Sequence, residues 1–420
     1  MTSFSRLGSA NTYDNAIRNI SNRQSALSNL QENLTSGKKV VRASDDPTGA
    51  AQAERALNRI SRIATDQRAL ESQRNSIAQA ESTLGDVTDA LQNFRELVVS
   101  AGNGAHTAAD RKTIAGQLTG LRDQIFALAN RLDTNGQPLF SALGSALAPF
   151  VGPQSSAPDY TFNGLPGQSA TSEVAIPFAL DGDSAFMLQT TRDGVYNVSM
   201  GSSSSTLKTG SVVLNTPPVA PLLVPDQSYT IRFSTVTMVA GNTTANYDIL
   251  DSAGANILDS AGVPVTGSKT YNTGQSFTVT EMPGLTLSIT GTPVAAESVK
   301  VDSSPSIFSV LDNAIRDIGN PSAASAAASQ AVSQALKNID IGMGRVSAVR
   351  GQAGDLLNRA DRISANQEAR SIQLEGDRSR AEDLDMVKGI SDFQNQQTGY
   401  QAALQSYAQV QKLSLFTYIS

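Results

Sequence analysis

The sequence contains no cysteine and no tryptophan, and its only histidine is His106. These absences exclude disulfides, thiolate metal sites, cysteine nucleophiles and any Ser-His-Asp triad that is not built on His106. That histidine follows a Gly-Asn-Gly turn, where a solvated position is expected. Aromatic residues make up only 5% of the chain, which disfavours a deep aromatic-lined ligand pocket. We expect no catalytic residue, no metal and no cofactor.

Long apolar runs and an excess of basic residues are also missing. The roughly eighteen consecutive apolar residues of a transmembrane helix occur nowhere. The net charge is −6, so electrostatics gives no reason to expect nucleic acid or an anionic membrane as a partner. The N-terminus lacks the charged and apolar regions of a cleaved signal peptide. We therefore expect no nucleic-acid binding, no membrane insertion, and export only by another route.

What the sequence does contain is heptad periodicity. Between Asp46 and Ser100, apolar residues recur at every seventh position: Ala56, Ile63, Leu70, Ile77, Leu84, Leu91 and Val98. A companion column is interrupted by Gln67 and Arg74. Because this period is typical of helices that pack along a narrow seam, it predicts one helix of roughly 80 Å. The alternative is a set of shorter helices with a break at Gly85.

Helical patterns return towards both ends of the chain. Residues 1–35 predict a thin amphipathic helix, and 107–132 predict a helix that opens on a capping-box pattern. After a short helix at 308–318, a second long seam runs over Ile339–Leu384. This second seam is the natural partner of the first. A further heptad starts at Met386 and continues to the end of the chain.

The middle of the chain has a different character, with Gly, Pro, Ser, Thr and Val dominating residues 143–302. Alternating runs between turn signals predict strands, at Tyr160–Phe162, Glu173–Ile176, Tyr196–Val198, Ser228–Phe233, Ser276–Val279 and Leu285–Ile289. We predict an all-β insertion, either a sandwich or small barrels. The predicted fold class is α+β multidomain: a long antiparallel coiled-coil-like helical bundle formed by both chain ends, with an inserted all-β domain.

Three domains follow from this organisation. Residues 1–42 with 385–420 are predicted to be terminal coiled-coil assembly segments. Residues 43–142 with 303–384 are predicted to form the helical bundle core, and 143–302 the β-rich outer domain. The N-terminal helix alone cannot cover the apolar C-terminal segment, so we expect these ends to pack against other subunits.

The residues expected to carry subunit assembly are apolar members of the two terminal segments. They are Ile17, Ile20, Leu27, Leu34, Met386, Ile390, Phe393, Tyr400, Leu404, Tyr407, Leu413, Leu415 and Phe416. The predicted helix-start junction is Asp45, Asp46 and Pro47, in which Asp46 is the N-cap and Pro47 the first helical residue. A metal or acid/base role for the paired carboxylates is the alternative.

Both ends of the chain resemble the bacterial flagellins and their hook-associated relatives. At the N-terminal end the similar residues are Gln24–Leu34, the following Thr-Ser-Gly-Lys-Lys-Val-Val-Arg-Ala-Ser, and Asp45-Asp46-Pro47. At the other end they are the final Tyr407-Ala-Gln-Val-Gln-Lys-Leu-Ser-Leu-Phe-Thr-Tyr-Ile. Filament flagellins more often have Asp-Asp-Ala, so Asp-Asp-Pro and this tail point to a family member of the hook–filament junction.

The resemblance covers roughly residues 1–145 and 300–420, while the opening Met1–Gly8 departs from the family's usual start. It implies a structural protein, not an enzyme, whose terminal helices pack in the flagellar axis while the insertion faces outward. The implied location is the extracellular flagellum at the hook–filament junction. The implied route is the flagellar type III apparatus, without a cleaved signal peptide.

The resemblance also implies partners. They are the first hook-associated protein, flagellin, further copies of the chain in a homo-oligomeric ring, and an export chaperone in the cytoplasm. The implied function is an adaptor ring that joins the hook to the flagellin filament. One alternative is a filament-forming flagellin. Another is carbohydrate binding or hydrolysis by the insertion, whose candidate carboxylates are Asp181, Asp183, Asp248 and Asp251.

Overall fold

The structure is a computed structural model that describes residues 9–419 except 156–157, 203–204, 218–221 and 321–324. For residues 9–13, 325–327 and 410–419 it describes the backbone but not the side chains. The helices of these residues are α1 (Ser9–Ser36), α2 (Pro47–Ala101), α3 (Ala108–Ala129), α4 (Gly182–Phe186), α5 (Thr190–Asp193), α6 (Ile307–Gly319), α7 (Ser325–Glu382) and α8 (Met386–Ile419). The chain divides into two compact units. The first contains the described residues up to Arg68 and from Ile363 onwards, and the second is Ala69–Arg362.

The two long helices are continuous, as predicted, and the alternative of a break at Gly85 is wrong. No proline follows Pro47 in α2 and none lies in α7, so every backbone N–H in the helix interiors can donate. Every residue of the two heptad columns is buried. The α2 column consists of Ala56, Ile63, Leu70, Ile77, Leu84, Leu91 and Val98, and the α7 column of Ile339, Val346, Ala353, Ala360, Gln367, Leu374 and Ala381.

In the second unit, α2 and α7 lie side by side and antiparallel. Arg74 Nε lies 3.1 Å from Asp361 Oδ1, and Arg95 Nε lies 2.8 Å from Asp340 Oδ1. The residue number therefore rises on one helix as it falls on the other, which confirms α7 as the partner of α2. These ion pairs are exposed, so they set orientation and register more than stability.

Helix α3 begins with the capping box that the sequence predicts. Asp110 N donates to Thr107 Oγ1 at 3.2 Å, and Thr107 N donates to Asp110 Oδ2 at 2.9 Å. The two bonds satisfy backbone donors that have no partner inside the helix. Helix α3 packs against α6.

An aromatic cluster joins α3 and α6 to the first part of the insertion. Phe308 of α6 has ring centroids 5.2–5.7 Å from those of Phe126, Phe150, Tyr160 and Phe186. Such edge-to-face and offset contacts stabilise a core beyond the area they bury. The segment that carries these rings is mostly irregular, with the two-stranded pair of β1 (Phe150–Val151) and β2 (Thr161–Phe162) and the short helices α4 and α5.

The prediction of a strand at Glu173–Ile176 is wrong. Ile176 is buried, but its backbone N–H donates to Oε1 of Gln73 in α2 at 3.1 Å instead of joining a sheet. This part of the insertion therefore packs on α2, and burial does not alternate along it, since Val174 is exposed and Ile176 is buried. The other five predicted segments contain strands.

The rest of the insertion is a β-sandwich, which confirms that predicted alternative. The remaining strands are β3 (Tyr196–Met200), β4 (Lys208–Thr209), β5 (Val213–Leu214), β6 (Tyr229–Val239), β7 (Asn242–Leu250), β8 (Thr266–Asn272), β9 (Ser276–Val279), β10 (Leu285–Thr290) and β11 (Ser298–Ser303). One antiparallel sheet has the order β3-β11-β6-β7-β8, and in the other β10 pairs with β4, β5 and β9. Alternate residues of both sheets form one core, so one face of most strands is buried, and β4, β5 and β8 have half-buried residues instead.

Two identical turns follow β7 in tandem. In the first, Asp251 N donates to Ala255 O (2.8 Å), and Asp251 Oδ1 accepts from Ala253 N and Ala255 N (both 2.9 Å). The second repeats these bonds eight residues later, from Asp259 to Val263, at 2.8–2.9 Å. Gly at the fourth position takes a positive φ in both turns, as this geometry requires.

Candidate assembly surface

Helices α1 and α8 pack against each other in the first unit. Two glycines of α8 mark the contact. A Cβ at Gly389 would lie 3.2 Å from Leu34 Cδ2, and one at Gly399 would lie 2.6 Å from Arg23 Nη1. Because the residue number rises along α8 as it falls along α1, the pair is antiparallel. The structure thus brings predicted assembly residues of both terminal segments together.

The predicted assembly residues of this pair are incompletely buried. Those that are 41–47% exposed are Ile17, Met386, Ile390 and Leu404. Those that are half-buried are Ile20, Leu27, Leu34, Phe393, Tyr400 and Tyr407. The remaining three, Leu413, Leu415 and Phe416, lie outside the residues whose side chains the structure describes. The described part of the pair therefore carries apolar surface that its two helices do not cover.

Charged residues are sparse along α8. From Phe393 to Gln411, α8 has no charged residue, and its polar side chains are amides and hydroxyls. Packing such a helix against another one does not bury a charge, so the largest desolvation cost of an interface does not arise.

The two linkers beside this pair are hydrogen-bonded to each other. Gly37 ends α1 with φ +69°, the left-handed conformation that glycine adopts freely. Lys39 N donates to Glu382 O at 2.8 Å, and Leu384 N donates to Gly37 O at 2.9 Å. The side chain of Lys38 forms an ion pair with Glu382. These contacts fix the directions in which α1 and α8 leave the linkers.

The predicted helix-start junction consists of two turns closed by aspartates. Asp46 Oδ1 accepts from Thr48 Oγ1 (2.6 Å), Thr48 N (3.0 Å) and Gly49 N (3.0 Å), and α2 begins at the next residue. The hydrogen bond from the Thr48 hydroxyl, and then that from Gly49 N–H, holds the pKa of Asp46 below its ordinary value. Asp45 Oδ2 accepts from the backbone N–H groups of residues 41 and 42 at 3.2 and 2.8 Å. Helix and turn capping accounts for both carboxylates.

A further capping aspartate was not identified from the sequence. Asp385 Oδ1 accepts from Val387 N at 3.0 Å and from Lys388 N at 3.2 Å, at the start of α8. The signal in the sequence is an aspartate directly before the heptad that starts at Met386.

The candidate carboxylates of the insertion have structural partners. Asp181 is the N-cap of α4 and accepts from Asp183 N at 3.1 Å. Burial, and then the charge of Asp181, raises the pKa of Asp183. Asp248 pairs with Arg232 at 3.2 Å across β6 and β7, and Asp251 closes the first tandem turn. These contacts favour a structural role for each carboxylate over the alternative of hydrolysis.

The described residues contain neither a candidate metal site nor a candidate membrane-spanning helix. No group of three or more His, Cys, Asp or Glu side chains able to hold a metal ion occurs in this part of the chain. No helix within the same residues has both the length and the apolar character needed to cross a bilayer.

Family models match both helical ends. The model of the bacterial flagellin N-terminal helical region matches residues 9–144, and that of the bacterial flagellin C-terminal helical region matches 336–419, together more than half of the chain. The chain belongs to the bacterial flagellin family. This confirms the resemblance read from the two ends, and the flagellins are structural proteins of the flagellum.

Individual flagellin-family relatives agree. The chain is 35% identical over 146 residues to flagellar hook-associated protein 3 of Escherichia coli. This match covers 33% of this chain and 44% of that protein. It is 23% identical over 396 residues to a flagellin of Clostridium tyrobutyricum, and this match covers 90% of this chain and 92% of that flagellin. The chain spans less than half the length of the hook-associated relatives it matches.

A solved structure shares the fold of this flagellin-family chain. Flagellar hook-associated protein-3 of Legionella pneumophila superposes with a TM-score of 0.59 at 24% sequence identity, covering 78% of this chain and 97% of that one. The match confirms the predicted fold class, in which helical ends flank an inserted β domain.

Proposed function

We propose that this chain is a structural subunit of the bacterial flagellum that forms an adaptor ring between hook and filament. The observation that supports this most is the α1–α8 pair, whose apolar side chains remain 41–47% exposed at four positions. The similarity to proteins named flagellar hook-associated protein 3 favours the junction within the flagellum.

Assembly follows from completing this pair with helices of neighbouring subunits. Covering the four exposed side chains contributes on the order of 1 kcal/mol each, and the contribution is repeated at every contact in a closed ring. Two thin, amide-rich helices are marginal alone, since most helix stability in proteins comes from packing an apolar face. In this proposal α1 and α8 become fully ordered only when neighbours supply the rest of the seam.

The proposed partners are other copies of the chain within the ring, the first hook-associated protein on the hook side and flagellin on the filament side. We further propose that a cytoplasmic chaperone covers the C-terminal segment, including Leu413, Leu415 and Phe416, before export through the flagellar type III apparatus. The absence of cysteine is compatible with passage as an unfolded chain, because no disulfide can form beforehand.

The test replaces exposed apolar residues of α8 by charge. Ile390→Asp with Leu404→Asp is expected to leave the isolated protein folded and exported, because both side chains are already more than 40% exposed. It is expected to abolish the junction, since each carboxylate would be buried in the subunit contact. Gln397→Asp, at an exposed polar position of the same helix, is the matched control. Normal filaments from the double variant would contradict the proposal.

A second candidate, a filament-forming flagellin, is favoured by the match to the Clostridium tyrobutyricum flagellin over 90% of the chain. Immunogold labelling of intact cells separates the two. A single band between hook and filament supports the junction, whereas labelling along the whole filament supports the flagellin.

A further inference from the structure

In the seam between α2 and α7, the side chain of Gln367 is buried without a partner among the described residues. Gln367 occupies the heptad column of α7, next to Leu374 and four residues after Ile363, both of which are buried. Gln367 itself is only 6% exposed. Its Nε2 and Oε1 are both inaccessible to solvent, and neither makes a hydrogen bond within the described residues.

This state distinguishes Gln367 from the other buried amides of the described chain. Gln73 Oε1 accepts from Ile176 N at 3.1 Å. Gln334 Nε2 and Asn338 Nδ2 both donate to Tyr196 O, at 2.8 and 3.0 Å. Asn197, likewise buried, donates to Asp317 at 3.1 Å. The fold therefore provides partners for buried amides elsewhere, and fails to do so at one point in the seam of the first unit.

The facing helix is also polar at this level. In the first unit a Cβ at Gly49 would lie 3.2 Å from Ala381 O, and Ala56, two turns later in α2, lines one groove with Leu374 as well as Ala381. The residue number therefore falls along α7 as it rises along α2, so the two helices are antiparallel here too. About three turns after Ala56 in α2 lies Gln67, which is half-buried and interrupts the companion apolar column. Gln67 and Gln367 therefore lie at a similar height along the helix pair. The neighbouring heptads have the apolar residues Ile63 and Leu374 instead.

A buried amide without a partner destabilises the closed seam, in which α2 and α7 are in contact, relative to an open state in which they are locally separated. In the closed seam both polar atoms of Gln367 are shielded from solvent and make no hydrogen bond to the described residues, whereas an opening of one turn exposes them to water. The apolar heptads on both sides lose their contacts when they open. The energetic balance therefore confines the easiest opening to this level of the seam.

We propose that Gln367 is a built-in opening point, at which α2 and α7 of the first unit part transiently and readmit water to the seam. The device lets the helix pair flex there while the apolar heptads on either side stay closed. It concerns the fold of this unit alone and holds whether the chain forms a junction or a filament.

Hydrogen exchange of the full-length protein tests the proposal. In the wild type, amides of residues 363–370 in α7 are expected to exchange faster than those of 346–353, which follow a column of buried apolar residues. Gln367→Leu, which continues the apolar column, is expected to slow exchange at 363–370 by about tenfold or more. Gln367→Met tests the same change with a more flexible side chain, should leucine pack badly.

Gln373→Leu is the control, since Gln373 is exposed on the same helix and is expected to leave exchange unchanged. A second measurement uses spin labels at Thr65→Cys and Glu368→Cys, which are exposed positions in a chain without native cysteine. The label–label distance distribution is expected to narrow when Gln367→Leu is added. Unchanged exchange and an unchanged distribution in both the leucine and methionine variants would overturn the proposal.

Discussion

Aspartates in this chain close turns and helix ends. Asp46 and Asp385 accept hydrogen bonds from the first backbone N–H groups of α2 and α8, and Asp110 accepts from the backbone N–H of Thr107, the N-cap of α3. The sequence identifies Asp46 and Asp110, because a proline or a capping box accompanies them. Asp385 has no such companion, so its role emerges only once the start of α8 is known.

The charge of Asp46 is expected to make the start of α2 sensitive to acid. Because its folded pKa is below the ordinary 3.8, its contribution is present above that value and is lost as the pH falls through the folded pKa. Asp46→Ala is expected to lower the Tm at neutral pH, and Asp46→Asn, which keeps an acceptor, to lower it less.

The measurement is thermal unfolding across the acid range. The difference in Tm between wild type and Asp46→Asn should shrink as the carboxylate is protonated. Glu71→Gln, at an exposed position of α2, is expected to show little of this effect. A difference that stays constant with pH would show that the charge of Asp46 contributes nothing.

Tyr160 offers a second test at the level of one side chain. Its hydroxyl donates to Asp312 Oδ2 at 2.6 Å, and Arg122 Nε lies 2.9 Å from Oδ1 of the same carboxylate. Burial raises the pKa of Asp312, while the Tyr160 hydroxyl and Arg122 oppose that rise. Tyr160→Phe keeps the ring in the aromatic cluster but removes the hydrogen bond, so it is expected to cost about 1.5–3 kcal/mol at neutral pH.

The cost of Tyr160→Phe should decrease in acid. Removing the hydrogen bond raises the folded pKa of Asp312 further, and a raised folded pKa means stability that is present at low pH and lost as pH rises through it. Urea unfolding at neutral pH and in the acid range measures both values. A penalty that grew on acidification would contradict the assigned contacts.

At the scale of elements, periodicity predicts the long helices well and the irregular segment poorly. The columns from Ala56 to Val98 and from Ile339 to Ala381 are each set by a repeat of the sequence itself, so burial along them can be read directly. The segment 143–190 has no sequence repeat. Its conformation is set by aromatic rings and backbone groups that contact α2, α3 and α6, and no local pattern encodes those contacts. Glu173–Ile176 alternates like a strand in sequence, but Val174 is exposed and only Ile176 is buried, against α2.

The assembly surface divides in the same way. Heptad spacing predicts which residues of α1 and α8 face inward, and the structure brings the two helices together. The linker contacts between Lys39 and Glu382 join residues far apart in the sequence, and no local pattern indicates them. The missing partner of Gln367 was equally invisible, because a lone glutamine in an apolar column is common in helices that do satisfy it.

Substitution by alanine is expected to have opposite effects on stability at two glycines of α7. A Cβ at Gly342 would lie 2.6 Å from Ile307 Cδ1, whereas nothing lies within 4 Å of a Cβ at Gly344. Gly344→Ala is expected to stabilise the protein by about 0.5–1 kcal/mol through helix propensity. Gly342→Ala is expected to destabilise it by about 1–3 kcal/mol because Ile307 must move. Denaturant unfolding of both variants checks the signs, and equal effects would refute the close packing of α6 on α7.

On the scale of the whole molecule, the two units differ in how much they bury. The second unit has an aromatic cluster and a sandwich core, whereas the described α1–α8 pair of the first unit leaves its apolar residues half-covered. Stability is therefore expected to be uneven along the chain.

Hydrogen exchange of the isolated protein is expected to show this difference. Amides of α1 and α8 should exchange much faster than those of α2 between Ile77 and Val98, whose heptad residues are fully buried. Assembly with other flagellar subunits should then protect α1 and α8. Strong protection of both helices in the isolated protein would contradict the role proposed for them.

The tandem turns at Asp251 and Asp259 give the inserted β domain a repeat of eight residues. Ile257 N donates to Ile249 O, Val265 N to Ile257 O and Ile249 N to Val265 O, at 2.7–3.1 Å, so equivalent residues eight apart close a small stack. Each turn is complete in itself, because its own aspartate and glycine supply its bonds. Because the bond between Ile249 N and Val265 O closes the stack into a ring, a further eight-residue module would separate these two residues, so the ring fixes the length of the loop at two modules.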